Sequence, residues 1–182
     1  MKKLFYVRHG ETHMNVREQF AGQIETPLTE RGREQAILAG KKAQQSLPKI
    51  DLIVASPYER ASHTAEYIAK EISYPVESIL YNDLLIERSF GVLEGTDALP
   101  FRNPGKHLEI DHIESVETIE QLQKRAQKAF KFIQSLTQYD NILIVGHGTF
   151  GRALRRVIGN IPHTEEYEKY KLIKNAEIIE LI

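Results

Sequence analysis

The chain has 182 residues, a formal net charge of −1 at pH 7 and no cysteine. The length suits one domain with a full hydrophobic core. The near-neutral balance carries no general attraction to nucleic acid or to an anionic membrane, so any positive field must be local. The lack of cysteine excludes disulfides, thiolate catalysis and zinc–thiolate sites.

The start MKKLFYV has only a short apolar run before Arg8. A signal peptide needs roughly 7–15 apolar residues and a membrane span about 20, so the expectation is a soluble, cytoplasmic protein. Residues 3–7 read as a buried strand that stops abruptly at Arg8-His9-Gly10-Glu11-Thr12. In an open α/β sheet, ligands lie beyond the carboxyl ends of parallel strands. Residues 13–28 lack a clear period and are punctuated by Gly22 and Pro27, which predicts a loop. Thr29 suits a helix cap, and Ala36, Gly40, Ala43 and Leu47 keep helical spacing up to Pro48. Residues 51–55 form a second buried run, ending at Ser56-Pro57. Serine as cap with proline at the first helical position predicts a helix starting at once, with Arg60 in its first turn. Its inner face carries Ala61, Thr64, Ala65, Ile68 and Ile72, and a weaker strand follows at 75–80.

Residues 82–115 are the least regular stretch and are longer than an ordinary connection, which points to a lid or insert. The spacing then predicts a helix over 116–136, a strand over 141–145 and a helix over 149–158. Two β-like runs, 170–174 and 177–182, flank Asn175-Ala176. The alternation of strands and helices predicts a three-layer α/β/α fold. Its central sheet is mostly parallel, with one antiparallel edge strand. The expectation is a single domain over 1–182 with a small lid at about 96–115.

Gly146-His147-Gly148-Thr149-Phe150-Gly151 spells G-x-G-x-x-G between a strand and a helix. The dinucleotide fingerprint also needs an acid about 20 residues on, after another parallel strand. Only a short tail remains here, so the glycines are read as letting backbone approach an anion. Of seven histidines, only His9 and His147 directly follow buried strands. A metal would need carboxylates or further histidines beside them. Arg8 and Arg60 lie there instead, and guanidinium forks match the oxygens of a dianionic phosphoryl group.

These residues carry a family resemblance. Arg8-His9-Gly10-Glu11-Thr12 with Asn15, then Pro27-Leu28-Thr29 with Gly32 and Gln35-Ala36, resembles the N-terminal signature of the histidine phosphatase superfamily, the phosphoglycerate-mutase-like proteins. Ser56-Pro57 with Arg60-Ala61 and Thr64-Ala65 resembles its second motif. Glu87 with Gly91 and Glu94-Gly95 resembles the third, and Gly146-His147-Gly148 the last. The resemblance implies that His9 is a nucleophile carrying a phosphohistidine. It places Arg8, Arg60 and His147 around the phosphoryl oxygens and makes Glu87 the general acid and base. Asn15, Gly22, Arg88 and Gly148 are assigned to substrate contact. A neutral imidazole is a competent nucleophile, with its second nitrogen held by a backbone carbonyl near Gly10, and a protonated His147 would add positive charge. Neither metal nor cofactor is then required.

The departures from the family pattern are specific. Ala21 stands where relatives often carry a polar side chain, Glu25 replaces the commoner Asp, and Thr149 stands where mutases usually have Asn. Glu87-Arg88 with Gly91 looks mutase-like, but the longer insertion typical of glycolytic mutases is missing. The leading expectation is hydrolysis of small phosphorylated substrates. A phosphoglycerate mutase and a catalytically weak phospho-ligand-binding module stay open, and oligomeric state is left undetermined. The segment 96–115 mixes Arg102, Lys106 and His107 with Leu99, Phe101, Leu108 and Ile110. It is expected to form a compact cap, with Arg88 and Arg102 or Lys106 meeting a second anionic group.

Overall fold

The computed structural model describes residues 2–101, 109–162 and 171–182. Four parallel strands, β1 (Lys3–Arg8), β2 (Leu52–Ala55), β3 (Leu80–Tyr81) and β4 (Asn141–Gly146), are joined by β5 (Ile178–Glu180), antiparallel to β1. The order across the sheet is β3-β2-β4-β1-β5. The chain contains five α-helices in its described part: α1 (His13–Val16), α2 (Glu30–Ser46), α3 (Glu59–Glu71), α4 (Ile119–Ser135) and α5 (Gly148–Ile158). No helix among the described residues is long and apolar enough to cross a membrane.

Strand alternation divides the core in two. Phe5, Val7, Ile53, Ala55, Leu143 and Val145 pack with Ala39 of α2 and Ala61, Ala65 and Ile68 of α3. Leu4, Tyr6, Leu52, Val54, Ile142 and Ile144 pack with Leu122 and Ala126 of α4 and Phe150 and Ala153 of α5. Buried on both faces, the central strands read as unbroken apolar runs. The register aligns Arg8 with Gly146 across β1 and β4. Their two following histidines therefore leave the sheet side by side.

Several elements begin elsewhere than the sequence suggests. Residues 13–16 are helical within the expected loop, because Thr12 and Asn15 close a capping box. Helix α3 is capped at Tyr58, two residues after the expected Ser56, whose hydroxyl is turned toward His147. Pro75 cannot donate to a ladder. The chain makes a 3₁₀ turn over Val76–Ser78, and β3 is only two residues long. Helix α4 starts at Ile119 behind a Thr118–Gln121 capping box, and α5 starts at Gly148. Residues 171–174 form no strand, since β5 already occupies the edge of β1.

The insert is a chain of 3₁₀ turns, Asp83–Leu85, Gly91–Leu93 and Leu99–Phe101, with a third apolar cluster of Phe20, Phe90, Ala98, Ile110 and Val116. Arg125 ties its base to the sheet side, donating to Glu117 at 2.7 Å and to the carbonyl of Ile86 at 2.7 Å. Arg102, Lys106, His107 and Leu108 lie outside the described residues, as does Tyr170.

The G-x-G-x-x-G run has a packing cause. A Cβ at Gly146 or Gly151 would collide with the Tyr6 ring, and one at Gly148 would press on the Arg8 guanidinium at 3.3 Å. The glycines thus make room for β1 side chains, a role that the sequence did not suggest. Tyr6 repays the space. Its hydroxyl donates to the His147 carbonyl and accepts from the His147 N–H, both at 2.7 Å and fully buried. Tyr6→Phe would strand the His147 N–H and leave its carbonyl with only the Gly151 N–H, at 3.1 Å. A buried unsatisfied group costs about 1–3 kcal/mol, so a urea titration should show at least that loss, with the protein still folded in water. An unchanged midpoint would contradict the role given to the hydroxyl.

Candidate active site

His9 follows β1 and stays in register, its N–H donating to the Gly146 carbonyl at 2.9 Å. Its ring Nδ1 lies 2.7 Å from the carbonyl oxygen of Gly10. A carbonyl only accepts, so Nδ1 carries the proton and Nε2 keeps its lone pair. The backbone around it is clamped from two sides. Gly10 N–H donates to the Thr64 hydroxyl at 3.0 Å, on α3. From the tail, Asn175 donates to the His9 carbonyl at 3.0 Å. Burial, then Arg60 and Arg8, hold the His9 pKa well below the usual histidine range. The ring is neutral at pH 7.

His147 lies behind it, the two ring centroids 5.3 Å apart at 62°. Arg60 Nε donates to its Nδ1 at 3.2 Å, so Nε2 carries the proton toward Ser56 Oγ at 2.8 Å. Burial and the charge of Arg60 also hold this imidazole well below its ordinary pKa. The expected imidazolium is therefore a neutral imidazole in the unliganded protein, because a guanidinium already occupies its acceptor side. The remaining donors of Arg60 reach the carbonyls of Ile24 at 2.8 Å and Gly22 at 2.7 Å. Its hydrogen bonds go to neutral acceptors, and its guanidinium also stacks 5.0 Å over the Tyr58 ring. A fully buried cation held this way favours an anionic partner. Arg8 adds a second guanidinium, held to the Ile173 carbonyl at 3.1 Å.

The carboxylate of Glu87 accepts from three backbone amides: Thr149 at 3.0 Å, Phe150 at 2.8 Å and its neighbour Arg88 at 2.9 Å. Two of these are first-turn donors of α5, which a helix leaves unpaired unless something caps them. Glu87 thus fixes α5 while facing the same cavity as His9. Glu94 and Glu25 act as loop struts. Glu94 accepts from Gln23 and Phe90 N–H, both at 3.0 Å, and Glu25 accepts from Glu59 N–H at 3.1 Å at the start of α3.

A cavity of 590 Å³ gathers Arg8, His9, Asn15, Gly22, Arg60, Glu87 and Arg88. His147 and Gly148 are not on its wall; His147 sits fully buried behind Arg60, and Gly148 lies under Arg8. Asn15 uses its Oδ1 to accept from Thr12 N–H and from Asn175, both at 3.1 Å. Arg88 departs from the expectation that it meets a second anionic group. It is fully buried, donates to the Glu117 carbonyl at 2.7 Å and pairs with Asp111. A larger cavity, 730 Å³, opens beside Lys49, Asp51, Tyr74 and Tyr139, away from these residues; no histidine or arginine is on its described wall. Among the described residues no group of three or more His, Cys, Asp or Glu side chains could hold a metal ion. Ser56, Thr64 and Asn175 were not assigned to the site by sequence. Ser56 and Thr64 read as helix cap and helix face, and nothing local marks Asn175.

Residues 4–182 match the model of the histidine phosphatase superfamily (branch 1), and the chain belongs to that family. It is 30% identical to a 2,3-bisphosphoglycerate-dependent phosphoglycerate mutase of Bartonella bacilliformis, over 98% of this chain and 91% of the mutase. It is also 30% identical to the uncharacterized phosphatase PhoE of Bacillus subtilis, over 85% of this chain and 76% of PhoE. Among solved structures, Bacillus stearothermophilus YhfR superposes with a TM-score of 0.83 at 25% identity, covering 99% of this chain and 90% of YhfR.

The two buried imidazoles give stability a pH dependence. Their folded pKa values are depressed, while an unfolded histidine binds a proton near pH 6.5. Below that value the unfolded state takes up protons that the native state does not. Stability is thus full above about pH 7 and falls on acidification, by up to about 1.4 kcal/mol per pH unit for each ring. Urea titrations at pH 7.5 and 5.0 should show this loss, and His147→Gln should flatten the slope. A slope unaltered in that variant would contradict the assignment.

Proposed function

We propose that this protein is a phosphomonoesterase that hydrolyses small phosphorylated metabolites through a phosphohistidine on His9, with no metal in the step. The observation that carries the reading is the Nδ1 bond to the Gly10 carbonyl, which leaves Nε2 as a lone-pair donor in a cavity with Arg8 and Arg60. In this reading the phosphoryl dianion is drawn by the positive charge of Arg8 and Arg60 at the cavity. Nε2 attacks phosphorus, the bond to the ester oxygen breaks, and the Glu87 carboxyl gives that oxygen a proton. Water then attacks the phosphohistidine while Glu87 takes its proton. The P–N bond breaks, and phosphate and neutral His9 are restored. Arg8 and Arg60 stabilise charge on the transferring group throughout. A dianion in the cavity would offset part of the positive field that, with burial, keeps His147 neutral.

The mutase reading draws on the Bartonella relative, which matches nearly the whole chain. The two reactions separate by product: release of inorganic phosphate against interconversion of phosphoglycerates. His9→Ala should remain folded and lose turnover by more than about 10³-fold, as expected when a nucleophile is removed. The wild-type protein, in EDTA, should trap acid-labile phosphate that this variant does not. Undiminished hydrolysis by His9→Ala would exclude the covalent route.

Glu87 needs a separate measurement, because it also caps α5. General acid catalysis is worth about 10²–10⁴-fold and matters most for poor leaving groups. Glu87→Gln should therefore slow single-turnover phosphorylation far more with an alkyl phosphate than with p-nitrophenyl phosphate. Equal slowing of both would leave Glu87 only its helix-capping role.

A further inference from the structure

The catalytic groups occupy one part of the cavity, and the insert builds another. Phe20, Phe90, Ala98, Phe101 and Ile110 line it. The Phe20 ring is 4.5 Å from that of Phe90 and 5.6 Å from that of Phe101. Four of the five belong to the apolar cluster of the insert, and Phe101 packs against that cluster while remaining half-buried. Such a cluster would hold an insert together without any ligand. Here it also forms the wall beyond the phosphoryl end, so it decides what the leaving group touches.

The polar side chains described on that wall are already engaged. Gln19 donates to the Gly95 carbonyl at 2.8 Å. Arg88 is held by the Glu117 carbonyl and its charge is countered by Asp111. The other cations among the described residues of the cavity, Arg152 and Lys171, come from α5 and the tail, which do not build this wall. Hydroxyl groups pressed against the three rings would lose water and gain little hydrogen bonding, a costly exchange. An apolar group there loses nothing and gains burial. A volume of 590 Å³ lies within the range of about 300–1,000 Å³ typical of small-molecule sites. It leaves room beyond a phosphoryl group for a ring.

We propose that the site selects phosphate monoesters whose alcohol is apolar and of ring size, seated against Phe20, Phe90 and Phe101, over esters of polyhydroxy alcohols. This rests on the phosphomonoesterase reading and narrows its substrate class. The same wall replaces the second anion site expected at Arg88.

The test compares 2-phenylethyl phosphate with glycerol 3-phosphate. Both leave as primary alcohols, so the difference reports the wall rather than leaving-group chemistry. A single methylene in an apolar pocket is worth about 10–200-fold, so kcat/KM should favour the phenylethyl ester by at least about tenfold. Phe101→Ala, at the half-buried edge, and Phe20→Leu should each move that ratio toward one. The wild-type ratio stands as a test even if a variant fails to fold. Equal turnover of the two esters, or preference for glycerol 3-phosphate, would overturn the proposal and leave the phosphatase reading standing. Inertness toward both esters and toward p-nitrophenyl phosphate would overturn the phosphatase reading, and this proposal with it.

Discussion

A single hydrogen bond, from His9 Nδ1 to the carbonyl of Gly10, sets the chemistry available to this protein. It decides which ring nitrogen holds the proton and which keeps a lone pair. The bond depends on backbone geometry, and the surrounding fold is spent on holding that backbone. The His9 N–H extends the ladder to Gly146, Thr64 holds Gly10 from α3, and Asn175 holds the His9 carbonyl from the tail. Ala176 N–H adds a bond to the Arg8 carbonyl at 2.9 Å. Three separate segments of chain, β4, α3 and the tail, therefore converge on Arg8, His9 and Gly10. Catalytic geometry benefits when the supporting groups are themselves locked.

Charge is distributed to match. The carboxylates described near the cavity hydrogen-bond elsewhere and reach Arg60 only through space: Glu87 caps α5, Glu94 and Glu25 hold loops, and Asp111 pairs with Arg88. Arg60 is left among neutral acceptors, fully buried. A guanidinium so placed carries positive potential that solvent does not screen. Burial first, and this field second, keep the two imidazoles neutral. The proposed nucleophile and the positive field are thus produced by one arrangement, since burial together with those cations keeps His9 unprotonated.

Much of this was legible in the sequence, for physical reasons. Strands β1 and β4 are buried on both faces, so they appear as unbroken apolar runs, and the histidines after them stand out. Arg60 was placed correctly in the first turn of α3 even though the helix starts two residues later than Ser56-Pro57 suggests. What stayed hidden depends on contacts distant in the chain. Tyr6 looks like any strand residue until Gly146 and Gly151 are found wrapped around its ring. Arg88 resembles a substrate contact until Asp111, 23 positions on, is found against it. Asn175 reaches His9 across 166 positions, and no local pattern marks such a partner.

The claim that carries the most is the tautomer of His9, and nitrogen-15 NMR of the imidazoles in the resting protein reads it directly. At pH 7.5 the His9 ring should show a protonated, pyrrole-like Nδ1 and an unprotonated, pyridine-like Nε2. His147 should show the reverse, because Arg60 donates to its Nδ1. Finding the proton of His9 on Nε2, or a doubly protonated ring, would contradict this account of the site.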